Sequence, residues 1–183
     1  MRSTRTTSKP LTLNRQNSEY GSVVVSALEA SWEAIRAQHP DVPPAVVVIG
    51  AGSGPRRGLR LGHFAASRWQ TDNDEIAEIF VGGEGLARGS RAVLATLLHE
   101  AAHAIAHRRQ IRDTSRQGRY HNQRFKTIAE QLGLQIDHHP TLGWSPTTIT
   151  NKTVLRYAAA LARSVAAAHG GRSRGPSPGA GRD

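Results

Sequence analysis

The sequence predicts an α+β domain, a small sheet packed on a central helix with further helices flanking it. Three observations carry this reading. Apolar residues recur at helical spacing near the start of the chain, short β-branched or alternating runs occupy residues 45–83, and a broad apolar helical pattern opens the second half. The order is helix, sheet, helices, with no internal repeat.

Residues 19–38, EYGSVVVSALEASWEAIRAQ, place Val23, Ala27, Leu28, Trp32 and Ile35 on one helical face. His39-Pro40 ends that helix, and Asp41 to Pro44 form a turn. AVVVI, residues 45–49, is a strand. GAGSGPRRG, residues 50–58, has the glycines of a phosphate loop but no helix after them, so it reads as a flexible connection. LRLGHFAASRW (59–69) and EIAEIFVGG (75–83) hold two more strands, the second with Ile76, Glu78 and Phe80 on one side. Ser90 is placed to cap a helix over 91–109 whose apolar face runs from Val93 to Ile105. An Arg-rich loop spans 110–120. Residues 121–133 form a helix with Phe125, Ile128, Ala129 and Leu132 inward and Gly133 as its stop. Asn151 is placed to cap a last helix through about residue 168. Residues 1–18 read as a basic disordered arm and 170–183 as a disordered tail, leaving 19–169 as one domain.

Composition narrows the chemistry. The 183 residues contain no cysteine, which excludes disulfides, thiolate metal sites and a cysteine nucleophile. No run approaches the length of a membrane span, and the basic N-terminus lacks the apolar core of a secretory signal, so a soluble, cytoplasmic protein is expected. Net charge is +10. Residues 103–126 carry Arg108, Arg109, Arg112, Arg116, Arg119, Arg124 and Lys126 against Asp113 alone, a local +6. Such a cluster attracts polyanions, nucleic acid first, and these seven residues are candidate DNA contacts; a solvated basic face is the alternative.

The chemistry concentrates in TLLHEAAHAIAHRRQ, residues 96–110. HEAAH matches H-E-x-x-H: His99 and His103, four apart on a helix, face the same way and can converge on one zinc. Glu100 projects from the edge of that face, where it can take a proton from water. His107 lies eight residues from His99, about 12 Å along the axis, too far for a shared ion. It reads as a surface or loop-packing histidine. A catalytic zinc needs a third protein ligand. His121, at the start of the 121–133 helix, is the expected one; the His138-His139 pair and Glu130 are the alternatives.

LLHEAAHAIAH, the Arg-rich loop, and YHNQRF leading into a helix together resemble the SprT-like zinc metalloprotease family. In that family L-L-H-E-x-x-H-A lies on a helix, and a third His precedes an aromatic at the start of the next helix. The matching positions here are His99, Glu100, His103 and His121, with Phe125 as the aromatic. GHFAASRW and EIFVGGEGL resemble the family's small sheet leading into the metal helix, and the likeness covers about residues 20–145. It implies a zincin-like metalloprotease domain holding one Zn²⁺ per chain, and a peptidase. In some members the substrates are proteins crosslinked to DNA, with DNA as activator, which for this chain makes a nucleoid-associated location the variant of the cytoplasmic expectation. Many members add a cysteine zinc ribbon, which this chain cannot form.

The mechanism so implied has His99, His103 and His121 holding the zinc while Glu100 moves a proton from water to the leaving amine. Tyr120 is a candidate for the oxyanion and Asp113 for orienting a ligand histidine, each with a plainer reading as a packed tyrosine and a loop acid. The strand near 61–69 is a candidate for pairing a substrate peptide by its edge. Trp144 reads as a core cover, with base stacking as its alternative. Two other classes stay open. One is a nucleic-acid-binding protein with a non-proteolytic metal site; the other is a metal-dependent hydrolase of another substrate.

Overall fold

The computed structural model describes residues 13–54, 58–70 and 75–163, with side chains from residue 21 onward except at 53, 54, 58 and 59. In chain order the elements are α1 (Leu13–Gln38), β1 (Ala45–Gly50), β2 (Ser53–Gly54), β3 (Gly58–Leu59), β4 (Gly62–Gln70), β5 (Glu75–Gly82), α2 (Gly83–Leu86), α3 (Ser90–Arg108), β6 (Thr114–Ser115), β7 (Tyr120–His121), α4 (Gln123–Gln131), β8 (Leu134–Ile136), β9 (Thr147–Ile149) and α5 (Asn151–Arg156). The architecture is mixed α+β with small sheets, as expected. No helix among the described residues is long and apolar enough to cross a membrane.

The main sheet has the order β1-β5-β4, with β1 parallel and β4 antiparallel to β5. Its inner face is the odd-numbered side of β5, where Ala77, Ile79 and Val81 are buried; Ile76, Glu78 and Phe80 take the other face. α1 covers the core with Leu28, Trp32 and Ile35, and the Trp32 indole N–H donates to the Pro43 carbonyl, so its one polar atom is satisfied. α3 is buried on nearly every side, from Val93 to Ala106, as a helix at the centre of a domain must be. Its alanines at 101, 102 and 104 let α4 and the β8–β9 hairpin pack closely against it.

Several boundaries differ from the sequence reading. α1 begins at Leu13, so residues 13–18 belong to the helix rather than to a disordered arm. LNRQNSEY contains neither Gly nor Pro, and helix propagates readily once nucleated downstream. Ser90 does not cap α3; Gly89, at φ 87°, occupies the cap and its carbonyl accepts from Val93 N–H. The 110–120 loop is largely the β6–β7 hairpin, and His121 sits in β7 rather than in α4. α4 is capped by Asn122, whose side chain accepts from the Arg124 and Phe125 amides. Gly133, at φ 89°, ends that segment as expected. Thr150, not Asn151, caps α5, which breaks at Tyr157 before helix resumes over 158–163. The β8–β9 pairing had no sequence signal. The continuation of the last helix through 168, residues 1–12 of the arm and the tail 170–183 lie outside the described residues.

Candidate metal centre

Two of the site's histidines come from α3, one turn apart, with ring centroids 5.0 Å from each other. The third, His121, is delivered by β7, and its backbone is held by the segment opposite. His121 N–H donates to Leu142 O (2.9 Å) and Trp144 N–H donates to His121 O (3.0 Å). Gly143, at φ 71°, makes this crossing possible, because a Cβ there would run into the His121 carbonyl oxygen. The Phe125 ring, fully buried, lies 4.6–4.7 Å from all three imidazole centroids and forms the floor of the site.

The imidazoles converge through one kind of atom. Nε2 of His121 is 3.2 Å from Nε2 of His99 and 3.1 Å from Nε2 of His103. Each Nδ1 has its own outward partner: Thr147 Oγ1 at 3.4 Å for His99, Asp113 Oδ2 at 2.5 Å for His103, and the Leu142 carbonyl at 3.2 Å for His121. A carbonyl or carboxylate only accepts, so His103 and His121 carry their protons on Nδ1, leaving bare Nε2 lone pairs face to face. Lone pairs held together in a buried place call for a cation between them. Two ligands at roughly 2.0–2.1 Å in tetrahedral geometry stand about 3.3 Å apart, close to the spacing here. His99, His103 and His121 form a group able to hold a metal ion, and the Nδ1 partners are the kind that orient ligating histidines.

Electrostatics separate the three. Burial, then His103 and His121, hold His99 well below its ordinary value, and burial followed by His103 lowers His121 to about 4. Burial also opposes charge on His103, yet its hydrogen bond to Asp113 and the carboxylates of Glu100 and Asp113 prevail, and its pKa is raised. Glu100 is buried beside them, and burial raises its pKa against the opposing pull of His103 and of the Phe64 backbone N–H that it accepts. Its carboxylate has room only because residue 62 is glycine: a Cβ there would lie 2.7 Å from Glu100 Oε1 and 2.6 Å from Thr96 Cγ2.

The site opens into a cleft of about 1690 Å³. β4 forms one wall, the β6–β7 hairpin and residues 145–149 the others, and α3 the floor. β4 is an edge strand. Its Leu61 neighbour bonds inward to Gly82, while Phe64 N–H turns out to Glu100. By strand parity the outward backbone groups of Gly62 and Phe64 therefore lie on the cleft side, and the irregularity that follows Ala65 ends this alternation.

The remaining candidates divide. Asp113 does orient His103, where the plainer reading made it a loop acid. Tyr120 does not line the cleft; its hydroxyl meets His138 Nε2 at 3.1 Å and its ring lies 4.7 Å from the Arg116 guanidinium, which removes the ground for an oxyanion role. His107 is exposed, beside Phe64, and outside the metal-holding group. His138 and His139 are exposed turn residues, and Glu130 is an exposed acid 3.7 Å from Lys126. Trp144 packs partly on the core, with Lys126 Nζ 4.2 Å from its ring centroid. Of the basic cluster, Arg108 bonds the Pro40 carbonyl and Arg109 pairs with Asp41. Arg112, Arg116, Arg119 and Arg124 are exposed. Sequence reasoning missed Gly62, Phe64, Thr147 and Leu142. Gly62 alone left a signal, since glycine inside a strand marks a close backbone approach.

The class defined by fold and site is thus an α+β domain whose central helix and one hairpin assemble a three-histidine group beside a buried carboxylate. No protein-family model, curated protein or solved structure matches the chain.

Proposed function

We propose that the chain is a zinc-dependent endopeptidase of SprT-like type on a zincin-like domain. The observation that carries this is the buried Glu100 carboxylate, which shares its cleft with three convergent Nε2 atoms and lies beneath an open strand edge. His99, His103 and His121 would hold the ion, and an all-imidazole donor set suits zinc. Zinc there supplies Lewis acidity toward water and a carbonyl oxygen.

The chain's own groups account for the rest. The Gly62 backbone N–H and C=O and the Phe64 C=O are offered to an extended peptide, which a strand edge recognises and a non-peptide substrate lacks. This favours peptide bonds over the other hydrolysable groups. Glu100, with its raised pKa, is suited to take a proton from water and return it to the departing amine. Asp113 keeps His103 in the tautomer that presents Nε2 inward.

DNA association would fall to the exposed Arg112, Arg116, Arg119 and Arg124, on and beside the hairpin that carries His121. Three or four phosphate contacts predict a log K against log salt slope of about −3 on duplex DNA. Affinity unchanged between low and physiological salt would refute this part.

The deciding experiment loads the protein with zinc and follows cleavage of an unfolded protein. Wild type is expected to cleave, Glu100→Gln to keep its zinc and lose turnover by roughly 10²–10⁴-fold, and His121→Ala to lose the metal. Full turnover by Glu100→Gln would remove the carboxylate from the mechanism. A wild type that holds zinc yet cuts no peptide would end the peptidase reading.

A further inference from the structure

We propose that the cleft selects acidic segments of a protein substrate, using Arg60 and Arg88; the inference rests on the peptidase reading above and names its substrate class. Arg60 stands two residues before β4, and Arg88 two residues before α3. Both line the cleft where those elements begin, both are exposed, and neither guanidinium has an ion pair among the described residues. Arg91 adds to the same end, although it also donates to the Ile149 carbonyl and Asn151 Oδ1. Arg119 lines the cleft from the hairpin.

Negative charge along the lining does not balance this. Glu100 is buried under the strand and Asp113 is committed to His103, which leaves Asp137 as the one other acid among the described lining residues. Glu84, near Arg60 in space, accepts from the Gly52 amide and does not line the cleft. A bound dication would make the centre more positive still. A cleft with walls of one sign concentrates the opposite charge, and a guanidinium holds a carboxylate through paired hydrogen bonds.

Geometry directs that charge onto a peptide. A segment paired at Gly62 and the Phe64 carbonyl continues past Gly62 toward the end of the cleft that Arg60 and Arg88 line, so residues flanking the scissile bond on that side approach both. Carboxylate side chains there are favoured, ammonium side chains repelled. Nucleic acid is the other polyanion, but a phosphodiester backbone has no N–H or C=O ladder with which to use the β4 edge. Among DNA-bound proteins, the preference restricts cleavage to their acidic segments.

The test uses zinc-loaded full-length protein and three peptides of one core sequence flanked by Glu, Gln or Lys. Binding is read by fluorescence anisotropy on Glu100→Gln, cleavage by kcat/KM on wild type, both at low salt, beside a single-stranded oligonucleotide. The Glu peptide is expected to bind and react about five- to tenfold better than the Lys peptide, the size expected of two exposed ion pairs. The Arg60→Glu, Arg88→Glu double variant is expected to invert that order while holding one zinc per chain. Equal binding of the three peptides overturns the proposal, as does an order that the double variant leaves unchanged. An oligonucleotide held more tightly than the Glu peptide, in a manner dependent on Arg60 and Arg88, overturns it in favour of a nucleic-acid groove. A charge-ordered binding series without hydrolysis would sink the peptidase reading and leave the acidic-segment cleft standing.

Discussion

Asp113 and Gly62 show how single residues set the position of the site's other groups. Asp113 fixes the His103 ring and tautomer through a 2.5 Å contact, both groups being largely buried. Removing such a partner typically weakens metal binding 10–100-fold. Asp113→Asn is therefore expected to lower zinc affinity by that factor in a chelator competition, and an unchanged affinity would return Asp113 to an ordinary loop acid. Gly62 acts by absence. A methyl at this position meets Glu100 Oε1 and Thr96 Cγ2, so either the carboxylate or the edge strand must move. A displacement near 1 Å at a reacting group costs about 10²-fold. Gly62→Ala should keep its zinc and lose turnover by that order; normal kcat/KM would mean that β4 yields freely.

At the scale of elements, information local to one helix was legible in the sequence and information crossing between elements was not. H-E-x-x-H could be read because a turn of helix alone fixes the relation of His99, Glu100 and His103. The α1, β1, β4, β5, α3 and α4 segments were legible from periodicity for the same reason. The β8–β9 pairing, the Thr147 hydroxyl on His99 and the Leu142 carbonyl on His121 depend on tertiary contacts between stretches about 10 to 50 residues apart, which no period encodes. The hairpin from Asp113 to Asn122 is the decisive case. Asn122 caps α4 through its Oδ1, donates through Nδ2 to the Arg112 carbonyl, and through its amide to Asp113 O. One side chain therefore anchors the helix holding Phe125 and closes the hairpin that carries both Asp113 and His121. Asn122→Ala should cost about 1 kcal/mol of stability for the cap and weaken zinc binding as well. Asn122→Asp keeps the cap acceptor but loses the Nδ2 donor, so it should spare most of the stability and still weaken the metal. If the two variants weaken zinc binding no more than they lower Tm, the closure of the hairpin does not govern the site.

For the whole molecule, the unequal basicity of the three histidines sets how metal, protons and folding are linked. In the metal-free fold His121 is held to about 4 against an ordinary 6.5, so the unfolded chain binds that proton more readily. Its contribution to stability is therefore complete above pH 6.5 and lost as pH falls toward 4. His99, also lowered, acts in the same direction, and His103, raised, in the opposite one. Zinc and proton compete for the same Nε2 atoms. As pH falls, His103, whose pKa is raised, takes up a proton that zinc must displace before His99 and His121 do, because theirs are lowered. Zinc affinity should accordingly fall in stages, by about one decade per pH unit while His103 alone protonates and more steeply as pH nears 4, where His121 protonates too. Three ordinary histidines would instead approach three decades per unit below 6.5. The extra stability conferred by zinc, about 2.7 kcal/mol at a hundredfold excess over Kd, should shrink along the same curve. Competition titrations at half-unit pH intervals, paired with Tm measured with and without chelator, would read both. A single fall with a slope near three and no staging would mean that the three histidines are equally basic, and that their burial and outward partners do not tune the site.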